Sequence, residues 1–342
     1  MKIDVFSHFM PPKYRAALQK LNRKGIFLAE GAPANIDLES RFQVMDKYDD
    51  LVQVLTLTGA PVEAVGNPTE AAELAKIAND EMAELVLKYP DRFAAAVATL
   101  PMNDMDAALK ELDRAVNELK LRGVLIWAPL YVYDAKKGQY FPTEGRPIDM
   151  PELVPLYEKM THYNLPIWIH PLREAILPDY SNEEKSKYHI WQLFGWPFET
   201  TVAMTRLVFS GILEKFPTLK IITHHCGAMV PYFERRISVS YDFAEMRLNR
   251  KYKHGLTKNP VEYFRMFYAD TAISGSTPGL MCGYAFFGAD HLLFGTDMPY
   301  DAQNGHVATR ETIRSVEEMD IPESEKKKIF EDNARRLLRL PL

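Results

Sequence analysis

The 342-residue chain is 47% hydrophobic and 25% charged, the balance of a folded protein with a sizeable core, which excludes disordered and collagen-like classes. Its formal net charge of -5 offers no general attraction to phosphate backbones or anionic lipid, so nucleic acid is not an expected partner. No run of about 18 uncharged apolar residues occurs, so no membrane span is expected.

The opening residues Met1-Lys2-Ile3-Asp4-Val5-Phe6 lack the apolar core of a secretory signal. Only two cysteines occur, Cys226 and Cys282, far apart and outside any CxxC pair, so neither a disulfide framework nor a thiolate zinc site is indicated. Both features lead to the expectation of a reducing, cytoplasmic location.

Taken in chain order, short apolar runs alternate with stretches of helical period. Strands are predicted over Ile3 to Ser7 and Val52 to Leu57, followed by a helix over Thr69 to Lys88. Phe93 to Thr99, Gly123 to Trp127 and Pro166 to Ile169 are the next strands, separated by helices over Asp104 to Leu119 and Pro151 to Thr161. Then come a helix over Thr200 to Lys215, a strand over Leu219 to Thr223 and a helix over Pro231 to Met246. The series ends with strands over Met266 to Ala269 and His291 to Phe294, and helices over Thr277 to Phe287, Glu311 to Met319 and Glu323 to Leu338.

Pro151 and Pro278 sit near helix starts, where a missing N–H costs nothing. The last helix is expected on the exterior. Eight strands without a Gly-x-Gly-x-x-Gly or Walker-type loop favour a closed (β/α)8 TIM barrel over an open doubly wound sheet. The whole chain, residues 1–342, is read as one α/β barrel domain. The stretch from Pro171 to Pro197 is too long for a plain connector and carries Trp191 and Trp196, so it is read as a substrate-covering insertion after the fifth strand.

In such a barrel the strand C-termini form the active-site mouth, which separates functional polar residues from structural ones. His8 follows the first strand, His170 the fifth, His224 and His225 the sixth, and Asp297 the eighth. Histidine and carboxylate suit a catalytic divalent metal, and His8, His170 and Asp297 supply the usual three ligands with one position open. Zinc is the first expectation and manganese the second. His225 is placed to act as general base or as a further ligand.

A lone histidine at a strand end is more often structural, but convergence of four such positions argues against that here. His291 opens the eighth strand, at the stability face, and takes no role. His162, His189, His254 and His306 are read as surface residues. Asp270 follows the seventh strand and is read either as an acceptor behind a ligand or as a cap. Cys226 has no separate activating partner and is not expected to be a nucleophile.

At these positions the chain resembles the amidohydrolase superfamily, in the branch holding aminocarboxymuconate-semialdehyde and γ-resorcylate decarboxylases. The resemblance is carried by Ile3-Asp4-Val5-Phe6-Ser7-His8, the segment Arg41 to Val54, Ile167-Trp168-Ile169-His170-Pro171 and Trp196-Pro197-Phe198-Glu199-Thr200-Thr201. It continues through Phe216 to Ile237, Phe294-Gly295-Thr296-Asp297-Met298-Pro299 and Asn333 to Leu338. It implies a metal on His8, His170 and Asp297, with His225 as the catalytic histidine upstream of Pro231-Tyr232. His224 would then point the other way by strand alternation.

The chain departs from the family's His-x-His or Glu-x-His opening, because Phe6 stands where the first ligand is expected and cannot bind a metal. Phe6 and His8 should share the inward face. The resemblance further implies non-oxidative decarboxylation of a small aromatic or unsaturated carboxylic acid by a homo-oligomer, a dimer first. Arg41 would bind the substrate carboxylate, Trp127 and Trp191 would form aromatic walls, and Asp297 or His225 would deliver the proton. The competing readings are metal-assisted hydrolysis of a lactone, amide or activated C–C bond, and a noncatalytic binding barrel.

Overall fold

The structure is a computed structural model that describes residues 1–23, 31–131, 145–253 and 255–341. Among these residues eight parallel strands follow one another around a ring. They are β1 (Lys2–Phe9), β2 (Leu51–Leu57), β3 in two halves (Phe93–Ala96 and Ala98–Thr99), β4 (Val124–Ala128), β5 (Ile167–Pro171), β6 (Ile221–Thr223), β7 (Tyr268–Asp270) and β8 (Leu292–Leu293). Each pairs in parallel with the next in sequence. The ladder is interrupted at Val97, whose N–H still reaches Leu55 O at 3.0 Å.

The ring closes where the chain beyond β8 returns to β1. Val5 N donates to Phe294 O at 2.9 Å, Asp297 N to Phe6 O at 3.0 Å, and Ser7 forms a parallel bridge with Met298. All eight expected strands are therefore present, and the fold is the expected TIM barrel.

The strands read as nearly continuous apolar runs because both of their faces are buried. Alternation divides them between two cores. Val5, Val54, Leu125, Trp168, Ile222 and Leu293 fill the interior. Leu55, Ile126, Ile169, Ile221 and Phe294 pack outward against the helices. Inside the barrel, the fully buried Trp168 donates its indole N–H to Val5 O at 3.0 Å. Gly123 is required beside it: at φ +145 a Cβ there would lie 2.3 Å from Pro166 O and 2.5 Å from the Trp168 ring.

The surrounding helices follow their capping signals. Pro68–Lys88 starts from Asn67 in a reciprocal capping box with Glu70, and Thr277–Phe287 starts from Ser276, whose hydroxyl accepts from Gly279 N. The expected last helix is interrupted by a π-turn, giving Glu323–Lys327, Lys328–Asp332 and Asn333–Leu338. Its placement also differs from expectation. Ala334, Leu337 and Leu338 join the interior cluster containing Ile3 and Val52, so this helix closes the barrel's lower end instead of lying on its outside. No helix among the described residues is long and apolar enough to cross a membrane.

Candidate metal and active site

The side chains expected to carry chemistry meet above the C-terminal ends of β1, β5, β6 and β8. His8 and His170 are almost fully buried and reach towards each other from opposite strands of the ring, with ring centroids 5.2 Å apart. His170 Nδ1 donates to Pro171 O at 2.6 Å, which fixes the tautomer and leaves Nε2 as a lone-pair donor. Burial, reinforced by His224 and His8, holds the His170 imidazole well below its ordinary pKa, so it is neutral and competent to bind a cation.

Asp297 comes from the turn after β8, in a left-handed conformation with φ 61 that aims its carboxylate at the histidines. Its Oδ1 lies 3.1 Å from His8 Nε2. Burial raises its pKa, but the histidines, His224 foremost, outweigh that and hold the carboxyl well below the usual range. A buried Asp4 anchors this turn, accepting from Thr296 N at 3.0 Å and from Thr296 Oγ1 at 2.6 Å.

His224 and His225 depart from the alternation argument. β6 ends at Thr223, and His225, Cys226 and Ala228 take positive φ values of 54, 55 and 55. The two-residue period therefore does not extend through them, and both imidazoles lie on the Asp297 side with ring centroids 3.8 Å apart. His224 Nε2 lies 3.4 Å from Asp297 Oδ1 and His225 Nε2 4.0 Å from Asp297 Oδ2. The expectation that His224 turns away is thus corrected: it is fully buried and faces the site.

Asp270 secures this arrangement. One of its oxygens contacts His224 Nδ1, and the other accepts from Cys226 N and from Ala272 N, each at 3.0 Å. Asp270 is therefore the acceptor behind a site histidine, one of the two readings the sequence left open. Burial disfavours charge on His224, but Asp270 and Asp297 overcome it and raise the imidazole to about 10. Burial and the adjacent His224 instead lower His225 to about 3, so it stays neutral. Burial pushes the Cys226 thiol up, against a nucleophilic role.

Phe6 shares the inward face with His8, as expected, and its ring stacks on His224 at 3.9 Å with 16° between planes. Arg41, expected to bind the substrate carboxylate, is enclosed by protein. It is neither exposed nor part of the cavity lining but fully buried. It donates to Gln53 Oε1 at 2.8 Å, His8 O at 2.7 Å and Ala34 O at 3.1 Å, and also contacts Ser7 Oγ. These bonds fix the end of β1 and so position His8.

The residues present suit a metal. His8 Nε2 and His224 Nε2 are buried without a hydrogen-bond partner, although both lie close to Asp297, an arrangement that a cation displacing the His224 proton would complete. The ligand atoms of His8, His170 and His224 lie within 4.8 Å of one another, as do those of His224, His225 and Asp297. Of these residues, His8, His170 and Asp297 open on a cavity of about 590 Å³ lined by Trp127, Trp191, Trp196, Tyr300, Leu172 and Glu174. A second lobe of about 360 Å³ holds His225 and shares Trp196, Asp297 and Tyr300 with the first.

Tyr300 is the lining residue that sequence reasoning passed over. Its hydroxyl accepts from Asn35 Nδ2 at 2.8 Å and contacts Thr58 Oγ1, and its only sequence signal was its place three residues after Asp297. His291 is structural as expected, with Nδ1 2.9 Å from Phe267 O and its ring stacked on Tyr268. The expected surface residue His254 lies outside the described residues.

Residues 3–340 match the sequence profile of the family described as Amidohydrolase. The chain is 33% identical over 306 residues to γ-resorcylate decarboxylase of Polaromonas sp. (strain JS666), covering 88% of this chain and 87% of the relative. A crystal structure of dihydroxybenzoic acid decarboxylase from Polaromonas sp. JS666, with bound manganese and the inhibitor 2-nitroresorcinol, superposes with a TM-score of 0.79 at 29% identity, over 99% of this chain and 96% of that one. A 2,6-dihydroxybenzoate decarboxylase complexed with 2,6-dihydroxybenzoate superposes with a TM-score of 0.78 at 28% identity, over 99% and 98%.

Proposed function

The chain belongs to the amidohydrolase family, and from that membership and the geometry of its mouth we propose that it is a metal-dependent, non-oxidative decarboxylase of a small aromatic carboxylic acid. The observation that carries this reading is the joining of a buried histidine and aspartate cluster to an aromatic-walled cavity of about 590 Å³, large enough for a single substituted ring. Relatives named as γ-resorcylate and 6-methylsalicylic acid decarboxylases support a hydroxybenzoate-like substrate.

His8, His170 and Asp297 would hold the divalent ion, zinc first because imidazole donors suit it, and manganese second. A divalent ion held there would supply positive charge to stabilise an anionic substrate. Trp127, Trp191 and Trp196 provide the walls against which the ring stacks, and they keep bulk water from the reacting carbon.

The reaction requires one proton on the ring carbon that bears the carboxylate. The bond to the carboxylate then breaks, its electron pair returns to the ring, and CO2 leaves without consumption of water. We assign this proton to the Asp297 and His225 pair, whose Oδ2 and Nε2 face each other at 4.0 Å where the two cavity lobes meet. His225, neutral at rest, takes this proton from solvent and passes it through Asp297, which stands between it and the substrate, to the ring carbon.

Two free cysteines fit the proposed cytoplasmic setting. Exposed Tyr232, Val239, Phe243 and Met246, on and beside helix Glu234–Leu248, support the proposed homodimer, which light scattering would test. The activity itself is tested by screening hydroxybenzoates with zinc- or manganese-loaded protein in ¹⁸O-water. CO2 release without ¹⁸O in the organic product supports the lyase, whereas ¹⁸O in a new carboxylate would assign a hydrolase.

A further inference from the structure

We propose that His224 is itself a metal ligand, so that the ion is held by three imidazoles and one carboxylate, with His225 left free for proton transfer. This rests on the metal-dependent reading above and assigns to the site a ligand that β1 does not provide. Phe6 fills the side of the site two residues before His8 with a ring that offers no donor atom. Of the three imidazoles around that ring, His224 is the nearest, stacked against it with centroids 3.9 Å apart against 5.4 Å for His8 and 5.9 Å for His170.

Three independent features of His224 are those of a ligand. Its Nε2 is buried and lacks a hydrogen-bond partner. It lies within 4.8 Å of the ligand nitrogens of His8 and His170 and 3.4 Å from Asp297 Oδ1. Donors bound about 2.0–2.1 Å from a tetrahedral ion stand about 3.3 Å from one another, close to the 3.1 and 3.4 Å seen from Asp297 Oδ1 to His8 and His224. Finally, its Nδ1 contacts the buried Asp270 carboxylate, the outer partner that fixes a ligand imidazole's tautomer and raises its basicity.

His225 lacks the corresponding support. Its Nδ1 is buried without a partner, its Nε2 lies 4.0 Å from Asp297 Oδ2, the oxygen not shared by His8 and His224, and it lines the second lobe. The left-handed turn that begins at His225 therefore divides two adjacent histidines between two tasks, one holding the ion and the other moving a proton.

The test measures zinc affinity by competition with a chromophoric chelator for wild type, H224Q, D270N and H225Q, each checked for folding by near-ultraviolet circular dichroism. H224Q is expected to weaken zinc by more than about 100-fold, D270N by about 10- to 100-fold, and H225Q by less than about 3-fold. Equal affinities in H224Q and wild type would overturn the assignment.

If H224Q does not fold, pulsed electron paramagnetic resonance of the copper(II)-loaded wild type counts its imidazole ligands. Three support the proposal and two overturn it. Wild type that takes up neither zinc nor manganese overturns the ligand assignment and the metal-dependent reading together, with a protonated His224 between Asp270 and Asp297 standing in the ion's place. Tight metal binding through three imidazoles without CO2 release from any acid would remove the decarboxylase reading alone.

Discussion

Replacing Arg41 by Met separates a structural arginine from a substrate-binding one. The guanidinium is fully buried and makes four contacts, to Gln53, His8 O, Ala34 O and Ser7. Burial lowers its pKa only to about 10, so it remains charged at neutral pH. Met matches its length but leaves those acceptors unpaired in a space closed to water. Removing one side of a buried charged network costs about 3–5 kcal/mol. An unfolding entropy of about 2.1 cal/mol/K per residue gives roughly 0.7 kcal/mol/K for a chain of this length, so the melting temperature should fall by about 4–7 °C. Differential scanning calorimetry reads this directly. Because Arg41 holds His8 O, zinc affinity should fall as well, while KM measured on metal-saturated protein should stay within about 3-fold. An unchanged melting temperature together with a large rise in KM would instead return Arg41 to the substrate.

The other predictions address the proton path, the cavity wall and a buried acid. H225N should retain the metal yet lower kcat by about 10²- to 10⁴-fold, as loss of a positioned acid–base group does, measured by continuous CO2 release. W191A should raise KM about tenfold with little change in kcat, since Trp191 lines the cavity but touches no proposed ligand. Burial pushes the Glu63 carboxyl, whose Oε1 has no partner, up to about 8. As an acid raised on folding, Glu63 favours the native state most below its unfolded value near 4.5, and that contribution disappears as pH rises through about 8. E63Q should therefore flatten the stability profile between these values and stabilise the protein at pH 9 by a few kcal/mol, because each tenfold change in proton affinity is worth about 1.4 kcal/mol. Urea denaturation at pH 5 and pH 9 checks both the slope and its sign.

Much of the architecture was legible because apolar runs buried on both faces, each bounded by a polar residue, left a regular signal at all eight strands. His8, His170 and Asp297 could be read because each directly follows such a run, where topology alone sends it to the mouth. The interpretation of His224 failed for a local reason: alternation holds within a strand, and β6 ends one residue before it, giving way to a left-handed turn. Nothing in a pair of adjacent histidines announces that turn. The enclosure of Arg41 was not legible, because a charged residue on a short helix gives no sign that four acceptors from distant segments will surround it. The last helix shows the same limit, since amphipathicity identifies its apolar face but does not say whether that face meets the barrel's wall or its floor.

Metal-dependent decarboxylation is most directly tested by incubating the zinc-loaded protein with hydroxybenzoates in deuterium oxide and following the product by proton NMR and mass spectrometry. The expected result is one CO2 per arene formed and a single deuterium on the carbon that had carried the carboxylate, with the reaction abolished by chelation. Complete recovery of every acid from the metal-saturated enzyme, or a product that keeps the carboxylate and has gained water, would contradict it.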